Sequence, residues 1–265
     1  MPKGELAGKR VMVTRPAHQA QQLCQLLQAE GAVPVLFPVL EIVDPEDAAP
    51  GLDTIARLEQ FDLAIFISPN AVSRAMNLIR ARGGLPPRLR LATIGRGSAR
   101  ELRALTGREP DVCPQGKFDS EALLALPEMH DVAGQRVVIF RGEGGRELLA
   151  DTLRERGAEV TYANVYRRTR PQPDLERLRR DWARDGMDFI CVTSGEGLRN
   201  LFEMVGPLVQ TWLRQTRLVL VTERLAEVAR ELGVEPAPII APSASDEAMV
   251  EAIKSWLSEH DETPR

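Results

Sequence analysis

The sequence repeats itself, and this repeat constrains the fold more than any other feature of the chain. The segment GKRVMVTR (residues 8–15) returns about 126 residues later as GQRVVIFR (residues 134–141). DLAIFIS (62–68) returns at the same offset as DFICVTS (188–194). A repeat of this length describes two α/β units rather than a solenoid, and paired units usually hold a ligand between them. We therefore expect a ligand cleft between two units.

Short apolar segments alternate with amphipathic ones along the chain, which predicts the α/β class, with parallel sheets covered by helices on both faces. Ligands in such folds bind beyond the carboxyl ends of the strands, where loops lead into helix N-termini. Backbone N–H groups at these turns suit a carboxylate or a phosphate. The predicted ligand-binding residues are Thr14, Arg15, Ser68, Pro69, Asn70, Gly95, Ser98, Arg141, Gly142, Ser194, Gly195 and Thr222.

Two local signals predict where helices begin. Ser68 followed by Pro69 is typical of an N-cap and the first helical residue. Ser98 and Glu101 have the S-x-x-E spacing of a capping box. Helix capping therefore accounts for both serines, and neither has a histidine nearby in the sequence that would suggest a nucleophile.

Two segments are predicted to lie outside the central strands. Pro34 interrupts the apolar segment 33–39, which is expected to form an edge strand or a connector. The segment 44–51 is acidic and contains prolines, so it is expected to be a loop or a linker.

Composition argues against several classes of function. The formal net charge of −4 does not suit nucleic-acid binding, which normally needs a strongly basic face. The longest apolar runs have the length of strands, and residues 1–6 lack the apolar core of a signal peptide, so a cytoplasmic protein is expected. The three cysteines and three histidines form no ligand-spaced cluster, so no structural metal is expected, and the cysteines are interpreted as buried apolar residues.

The sequence contains no catalytic triad, paired-carboxylate site or Walker A loop. The turn after Arg141 departs from the dinucleotide pattern G-x-G-x-x-G, because Glu147 stands at the third glycine position. Tyr166 is one of two tyrosines and follows a predicted strand just before an arginine pair. It is interpreted either as a core tyrosine hydrogen-bonded at a strand end or as a proton donor that faces the ligand.

Several short motifs, taken in their order and spacing, resemble the uroporphyrinogen-III synthase family. They are VTRP (13–16), FISPNAV (66–72), the turn IGRGSA (94–99), FRGE (140–143) with REL (146–148), and the Val-Tyr pair that ends at Tyr166. The resemblance implies two intertwined flavodoxin-like domains, each a parallel sheet flanked by helices. One would comprise residues 1–38 plus 170–265 and the other residues 39–169, with a two-segment hinge near 39–42 and 166–170.

The resemblance also implies an enzyme without cofactor that closes hydroxymethylbilane to uroporphyrinogen III, with loss of water and inversion of ring D through a spiro intermediate. Tyr166 matches a family tyrosine proposed to assist loss of the hydroxyl group, and Ser98 matches a position that is usually threonine. Leu225 stands where relatives often carry a residue with a hydroxyl group, and Thr222 is expected to supply this group instead. Hydroxymethylbilane would be the partner, delivered by hydroxymethylbilane synthase to a monomer that binds neither nucleic acid nor membrane.

Two other functions stay open on the residues alone, because a fold does not determine a function. One is a non-catalytic, two-lobed protein that binds or senses a small anion. The other is a nucleotide-dependent transferase.

Overall fold

Parallel strands flanked by helices form both copies of the repeat in the computed structural model of the protein, which describes residues 4–260. The strands are β1 (Arg10–Val13), β2 (Val33–Leu36), β3 (Glu41–Val43), β4 (Leu63–Phe66), β5 (Arg90–Thr93), β6 (Arg136–Gly142), β7 (Glu159–Thr169), β8 (Phe189–Val192), β9 (Arg217–Leu220) and β10 (Ile239–Ile240). The α-helices are α1 (Ala17–Ala29), α2 (Ala49–Ala56), α3 (Pro69–Arg80), α4 (Arg96–Thr106), α5 (Ser120–Leu124), α6 (Leu148–Glu155), α7 (Leu175–Asp185), α8 (Gly195–Met204), α9 (Pro207–Gln215), α10 (Glu223–Glu231) and α11 (Asp246–His260). Residues 1–3, which begin the segment used to predict the absence of a signal peptide, lie outside the described residues, as do residues 261–265.

The first sheet has the strand order β10-β9-β8-β1-β2, and its pairings are parallel. Counted from β2, this is the order of the flavodoxin-like doubly wound fold. Alternate residues enter two separate cores: Met12 and Ile190 belong to the core with α8 and α10, whereas Val11 and Phe189 belong to the core with α1 and α11. Helices therefore cover both faces, and every residue of β8 is buried.

The second sheet has the strand order β3-β7-β6-β4-β5, and its pairings β7/β6, β6/β4 and β4/β5 are parallel. Val112 forms an isolated parallel bridge to Ala92 of β5. The repeat relates four strands of the second sheet, β7, β6, β4 and β5, to β2, β1, β8 and β9 of the first sheet. These four strands therefore have the same order in both sheets. The predicted class, α/β with parallel sheets flanked by helices, is confirmed.

Each sheet takes strands from both copies of the repeat. The first combines β1 and β2 with β8, β9 and β10, and the second combines β4 and β5 with β6 and β7. The compact units follow this division: one contains the described residues up to Glu41 and from Thr169 onward, and the other contains Ile42–Arg168. The chain therefore passes twice from one unit to the other.

The edge position of Pro34 is confirmed, because β2 lies at the end of the first sheet. The loop predicted at 44–51 is only partly correct. Helix α2 begins at Ala49, and Pro50 lies in its first turn, where a missing N–H costs no helical hydrogen bond. Helix α9 also escapes the sequence analysis, although Pro207 opens it in the same way.

The predicted capping box at Ser98 is wrong. Helix α4 begins at Arg96 with Gly95 as its N-cap, because the Ala99 N–H donates to the Gly95 carbonyl (3.0 Å). Ser98 is a buried residue inside the first turn. The carboxylate of Glu101 accepts a hydrogen bond from the Ser73 hydroxyl (2.6 Å) on α3, so it ties two helices together instead of capping one.

Core packing in the second sheet gives a stability prediction. Phe66 and Phe140 on neighbouring strands stack with ring centroids 4.9 Å apart, and both side chains are fully buried. We expect Phe66→Ala to lower the free energy of unfolding by about 3–5 kcal/mol, because it leaves a cavity beside Phe140. Urea unfolding followed by circular dichroism measures this. The control is Phe118→Ala at an exposed phenylalanine, which should cost less than about 1 kcal/mol; equal losses would contradict the assignment of the core.

Candidate functional site

Serines at equivalent positions of the repeat begin the helices that follow β4 and β8. Ser68 Oγ accepts a hydrogen bond from the Ala71 N–H (3.1 Å) and caps α3, which confirms the predicted cap. Ser194 Oγ accepts one from the Gly197 N–H (3.0 Å) and caps α8. The first turns of these helices contain the predicted residues Pro69, Asn70 and Gly195. Helix N-termini thus lie at the carboxyl ends of both strands, where they favour an anion.

Tyr166 on β7 is brought together with two other predicted site residues. Its phenol oxygen lies 3.1 Å from Ser68 Oγ, within hydrogen-bond distance. Its ring covers Gly142, where an added Cβ would lie 2.5 Å from the ring atom Cε2. The Tyr166 side chain is 2% exposed. Gly142 is therefore required for this packing, and Ser68 both caps α3 and orients the phenol.

Arg141 has its hydrogen-bond partners inside the protein. It is 3% exposed, and its Nε donates to the Gly142 carbonyl (3.2 Å). Its Nη1 donates to Glu147 Oε1 (3.0 Å), and its Nη2 donates to the Gly144 carbonyl. The guanidinium also lies over the ring of Tyr162, 4.5 Å from the centroid. These contacts bind the arginine to the loop that follows β6.

Tyr162 and Glu147 are part of this site, and the sequence analysis missed both. The Tyr162 hydroxyl donates to Glu147 Oε2 (2.6 Å). Burial, and then this hydrogen bond, raise the pKa of Tyr162 to about 12. The hydrogen bonds from Tyr162 and Arg141 hold the pKa of Glu147 below its ordinary value. The sequence offers one signal for this contact, which is the carboxylate six residues after Arg141.

A cavity of about 270 Å³ lies beside this network. Its lining includes Ile67, Ile94, Arg141, Arg146 and Tyr162. Ile67 and Ile94 directly follow β4 and β5, so the cavity opens at the carboxyl edge of the second sheet. Arg146, which is largely exposed, forms an ion pair with Glu121 (2.5 Å).

Gly95 and Ser98 lie near the same edge but differ in what they offer. Gly95 is the N-cap of α4, and an added Cβ would lie 3.1 Å from Phe118 Cβ, so this turn is closely packed. Ser98 is 4% exposed. The turn therefore presents backbone at Gly95, whereas the Ser98 side chain lies within the helix packing.

In the first sheet, Thr14 and Arg15 follow β1. The buried Thr14 hydroxyl donates to the Cys191 carbonyl (2.8 Å) and links the ends of β1 and β8. The Arg15 guanidinium forms an ion pair with Asp246, the first residue of α11, and lies 3.8 Å from Met249 Sδ. Asp246 is a further residue that the sequence analysis missed.

Thr222 and Leu225 begin α10. Thr222 is the N-cap residue in extended conformation, but its side chain makes no cap hydrogen bond. Leu225 is 6% exposed and belongs to the core that contains α8. Its apolar side chain is thus explained by packing, and Thr222 is the residue with a hydroxyl in this turn.

The thiols near β1 and β8 are poor nucleophiles. Complete burial raises the pKa of Cys191 to about 12. Burial also raises the pKa of Cys24, which is half-buried. Both are therefore protonated at neutral pH. The interpretation of the cysteines as buried residues is correct for Cys191, whereas Cys24 and Cys113 are only partly buried.

Comparison with known proteins identifies the family. A protein-family model described as uroporphyrinogen-III synthase HemD matches residues 21–251. The uroporphyrinogen-III synthase of Escherichia coli is 35% identical over 246 residues, which covers 92% of this chain and 99% of that enzyme. The chain belongs to the uroporphyrinogen-III synthase family. The Salmonella typhimurium member is 36% identical over the same shares of the two chains.

Solved structures of family members share the fold. A mutant uroporphyrinogen III synthase from Thermus thermophilus gives a TM-score of 0.64 at 22% identity, covering 95% of this chain and 99% of that one. The uroporphyrinogen-III synthetase of Helicobacter pylori gives a TM-score of 0.56 at 15% identity, covering 94% and 99%. Membership of the family assigns the chain to tetrapyrrole biosynthesis.

Two further kinds of site are absent from residues 4–260. Within this range no helix combines the length and apolar character needed to cross a bilayer. The described His, Cys, Asp and Glu residues form no group of three or more that could hold a metal ion.

The raised pKa of Tyr162 can be tested in Tyr166→Phe, where Tyr162 is the only tyrosine. We expect the phenol of the folded variant to ionise near pH 12, but near pH 10 in urea, the value of an unfolded chain. The folded state holds this proton more tightly, so the contribution to stability is complete below about pH 10 and is lost as pH rises to about 12. Ultraviolet absorbance of the phenolate measures both midpoints. Identical midpoints in the folded variant and in urea would contradict the buried network. Adding Glu147→Gln should lower the midpoint of the folded variant, because it removes the hydrogen bond from Tyr162 to a carboxylate.

Proposed function

We propose that this protein is the cyclising hydro-lyase uroporphyrinogen-III synthase, which converts hydroxymethylbilane to uroporphyrinogen III. The observation that carries this proposal is the match to the Escherichia coli enzyme over 99% of that enzyme's length. The family match favours neither of the two alternatives, a non-catalytic anion-binding protein or a nucleotide-dependent transferase.

The reaction makes modest chemical demands on the protein. The terminal hydroxyl of hydroxymethylbilane leaves as water and gives an azafulvenium electrophile on ring A. The substituted carbon of ring D attacks it, and the resulting spiro-pyrrolenine fragments and recloses with ring D inverted. The protein must hold the substrate's carboxylates, fold the linear chain for attack and assist departure of the hydroxyl.

Helix N-termini at the carboxyl edges are proposed to bind the carboxylates. The first turns of α3, α4, α8 and α10 each present backbone N–H groups, and such groups favour an anion. A net charge of −4 gives no overall attraction for an anionic substrate, so binding has to rely on local donors. The residues proposed to form these binding turns, either by contacting the substrate or by holding a turn in place, are Thr14, Arg15, Ser68, Pro69, Asn70, Gly95, Ser98, Arg141, Gly142, Ser194, Gly195 and Thr222.

Within that set, the residues contribute in different ways. Ser98 and Thr14 have buried side chains, so they shape the turns in which they lie. Ser68 and Ser194 use their hydroxyls as caps and orient the first N–H groups of α3 and α8. Gly95 contributes backbone only, and its lack of a side chain lets Phe118 pack against the turn, where an added Cβ would lie 3.1 Å from Phe118 Cβ.

Tyr166 is proposed as the catalytic proton donor that assists loss of the hydroxyl. Its phenol contacts Ser68 Oγ (3.1 Å), whose position is fixed by the cap of α3. A phenol held in this way is oriented before the substrate arrives, and burial keeps competing water away from it.

We further propose a cytoplasmic monomer that uses no cofactor and receives its substrate from hydroxymethylbilane synthase. The chemistry supports direct delivery, because free hydroxymethylbilane closes without enzyme to the type I isomer. The reaction itself is a dehydration with ring closure and requires no change of oxidation state.

Product analysis tests the proposal. Supplied with hydroxymethylbilane, the protein should give the type III isomer after oxidation to porphyrin, whereas a reaction without protein gives type I. We expect Tyr166→Phe to lower kcat about a hundredfold, because it removes the proton donor and leaves the fold intact. Type I product from the wild-type protein would refute the synthase assignment. Unchanged kcat in Tyr166→Phe would remove only the role of Tyr166.

A further inference from the structure

Arg15 and Arg141 occupy the same position of the two repeats. Each stands at the carboxyl end of the first strand of its copy, at the edge of the sheet where an anionic substrate is proposed to bind. An arginine at such a place would ordinarily be taken as a direct carboxylate ligand, because its planar group matches a carboxylate. Their contacts indicate a different role.

The loop after β6 is folded around the guanidinium of Arg141. Donation to the carbonyls of Gly142 and Gly144 fixes the loop on two sides. Gly144 and Gly145 have φ values of 72° and 106°, which favour glycine. An added Cβ at Gly145 would lie 2.8 Å from Arg141 Nη2. The loop is therefore packed around the guanidinium, which fills its centre.

Each guanidinium also has a carboxylate of the protein as its partner. Arg141 is paired with Glu147 (3.0 Å), which precedes α6, and Tyr162 binds the other oxygen of that carboxylate (2.6 Å). Arg15 is paired with Asp246 of α11, and these side chains are 15% and 9% exposed. Both copies of the repeat thus contain the arginine, but its carboxylate partner precedes α6 in one copy and belongs to α11 in the other. Neither arginine presents an unpaired charge.

We propose that Arg15 and Arg141 are positioning residues that hold the turn after the first strand of each repeat, and that they do not bind the substrate. This assignment rests on the synthase activity proposed above. The arginines act through the backbone: they place the N–H groups of their turns, and those groups contact the substrate. An internal ion pair satisfies each guanidinium before the substrate arrives.

The test compares Arg141→Met, Arg141→Lys and Glu147→Gln with the control Arg136→Met. Arg136 is the first residue of β6, the strand that contains Arg141, and its half-exposed side chain lies at the amino end of that strand. We expect Met and Lys at position 141 to lower kcat/KM equally, by about ten- to a hundredfold, through a higher KM, since the single nitrogen of an ammonium cannot reach acceptors that three separate guanidinium nitrogens bind. Glu147→Gln should also raise KM, although it removes the ion-pair partner of the Arg141 guanidinium. The control should match the wild type.

The salt dependence of KM separates positioning from direct binding. Removing a charge that contacts the substrate weakens the salt dependence, whereas removing a positioning residue leaves it unchanged. Recovery of KM in Arg141→Lys, a lower KM in Glu147→Gln or a weaker salt dependence in Arg141→Met would overturn the proposal. A lower melting temperature with unchanged KM in these variants would also overturn it, because that is a purely structural effect.

Hydrogen exchange gives a readout that does not depend on activity. Amides of residues 142–147 should exchange faster in both position-141 variants than in the wild type and the control. Unchanged exchange there would overturn the proposal, even if the wild type forms no type III product and the proposed function fails.

If Arg141→Met does not fold, Glu147→Gln and Tyr162→Phe carry the test, because they disturb the same network from its exposed side. Arg15→Met repeats the comparison in the first sheet, with Lys9→Met as its control, because the Lys9 side chain is 40% exposed just before β1.

Discussion

Two hydrogen bonds between an aspartate and an arginine backbone fix the strand pairing on which the structure depends. The Asp188 carboxylate accepts from the Arg10 N–H (2.8 Å), and the Asp188 N–H donates to the Arg10 carbonyl (3.0 Å). Asp62 and Arg136 make the same two contacts in the second sheet, at 2.8 and 2.9 Å. They stand at the amino ends of the central strands, so they set the register in which β1 pairs with β8 and β6 with β4.

This strand register determines where polar side chains lie. Every residue of β4 and β8 is buried, so polar side chains within these strands would need partners that the core does not offer. Polar groups collect instead at the carboxyl ends, where Ser68 and Ser194 cap the next helices. Ser68 then joins the cap to Tyr166, so one hydroxyl connects the start of a helix with the proposed proton donor. The site follows from the way in which the sheet is assembled.

Local features could be predicted from the sequence, and contacts distant along the chain could not. The Ser68-Pro69 cap and the edge strand at Pro34 depend on neighbouring residues only. Asp62 and Asp188 stand in equivalent segments, so the residues alone cannot decide which of them binds Arg10; the interleaved arrangement was expected only from the family resemblance. Ser98 was misassigned because the backbone of Gly95 begins α4 without a side-chain cap. Tyr162 is not found from the sequence because its contact with Arg141 depends on the pairing of β6 with β7. Glu147 is not found because its contact with Arg141 depends on the fold of the loop after β6.

The central proposal is that the turns leading into helices at the carboxyl edge of each sheet bind the tetrapyrrole. Hydrogen exchange with and without uroporphyrin III, the stable oxidised product, tests it most directly. The account predicts slower exchange in both units at the turns after β1, β4, β5, β6, β8 and β9. It predicts no change at the amino ends of β1 and β6. Protection confined to one unit, or located at the amino ends of the strands, would contradict it.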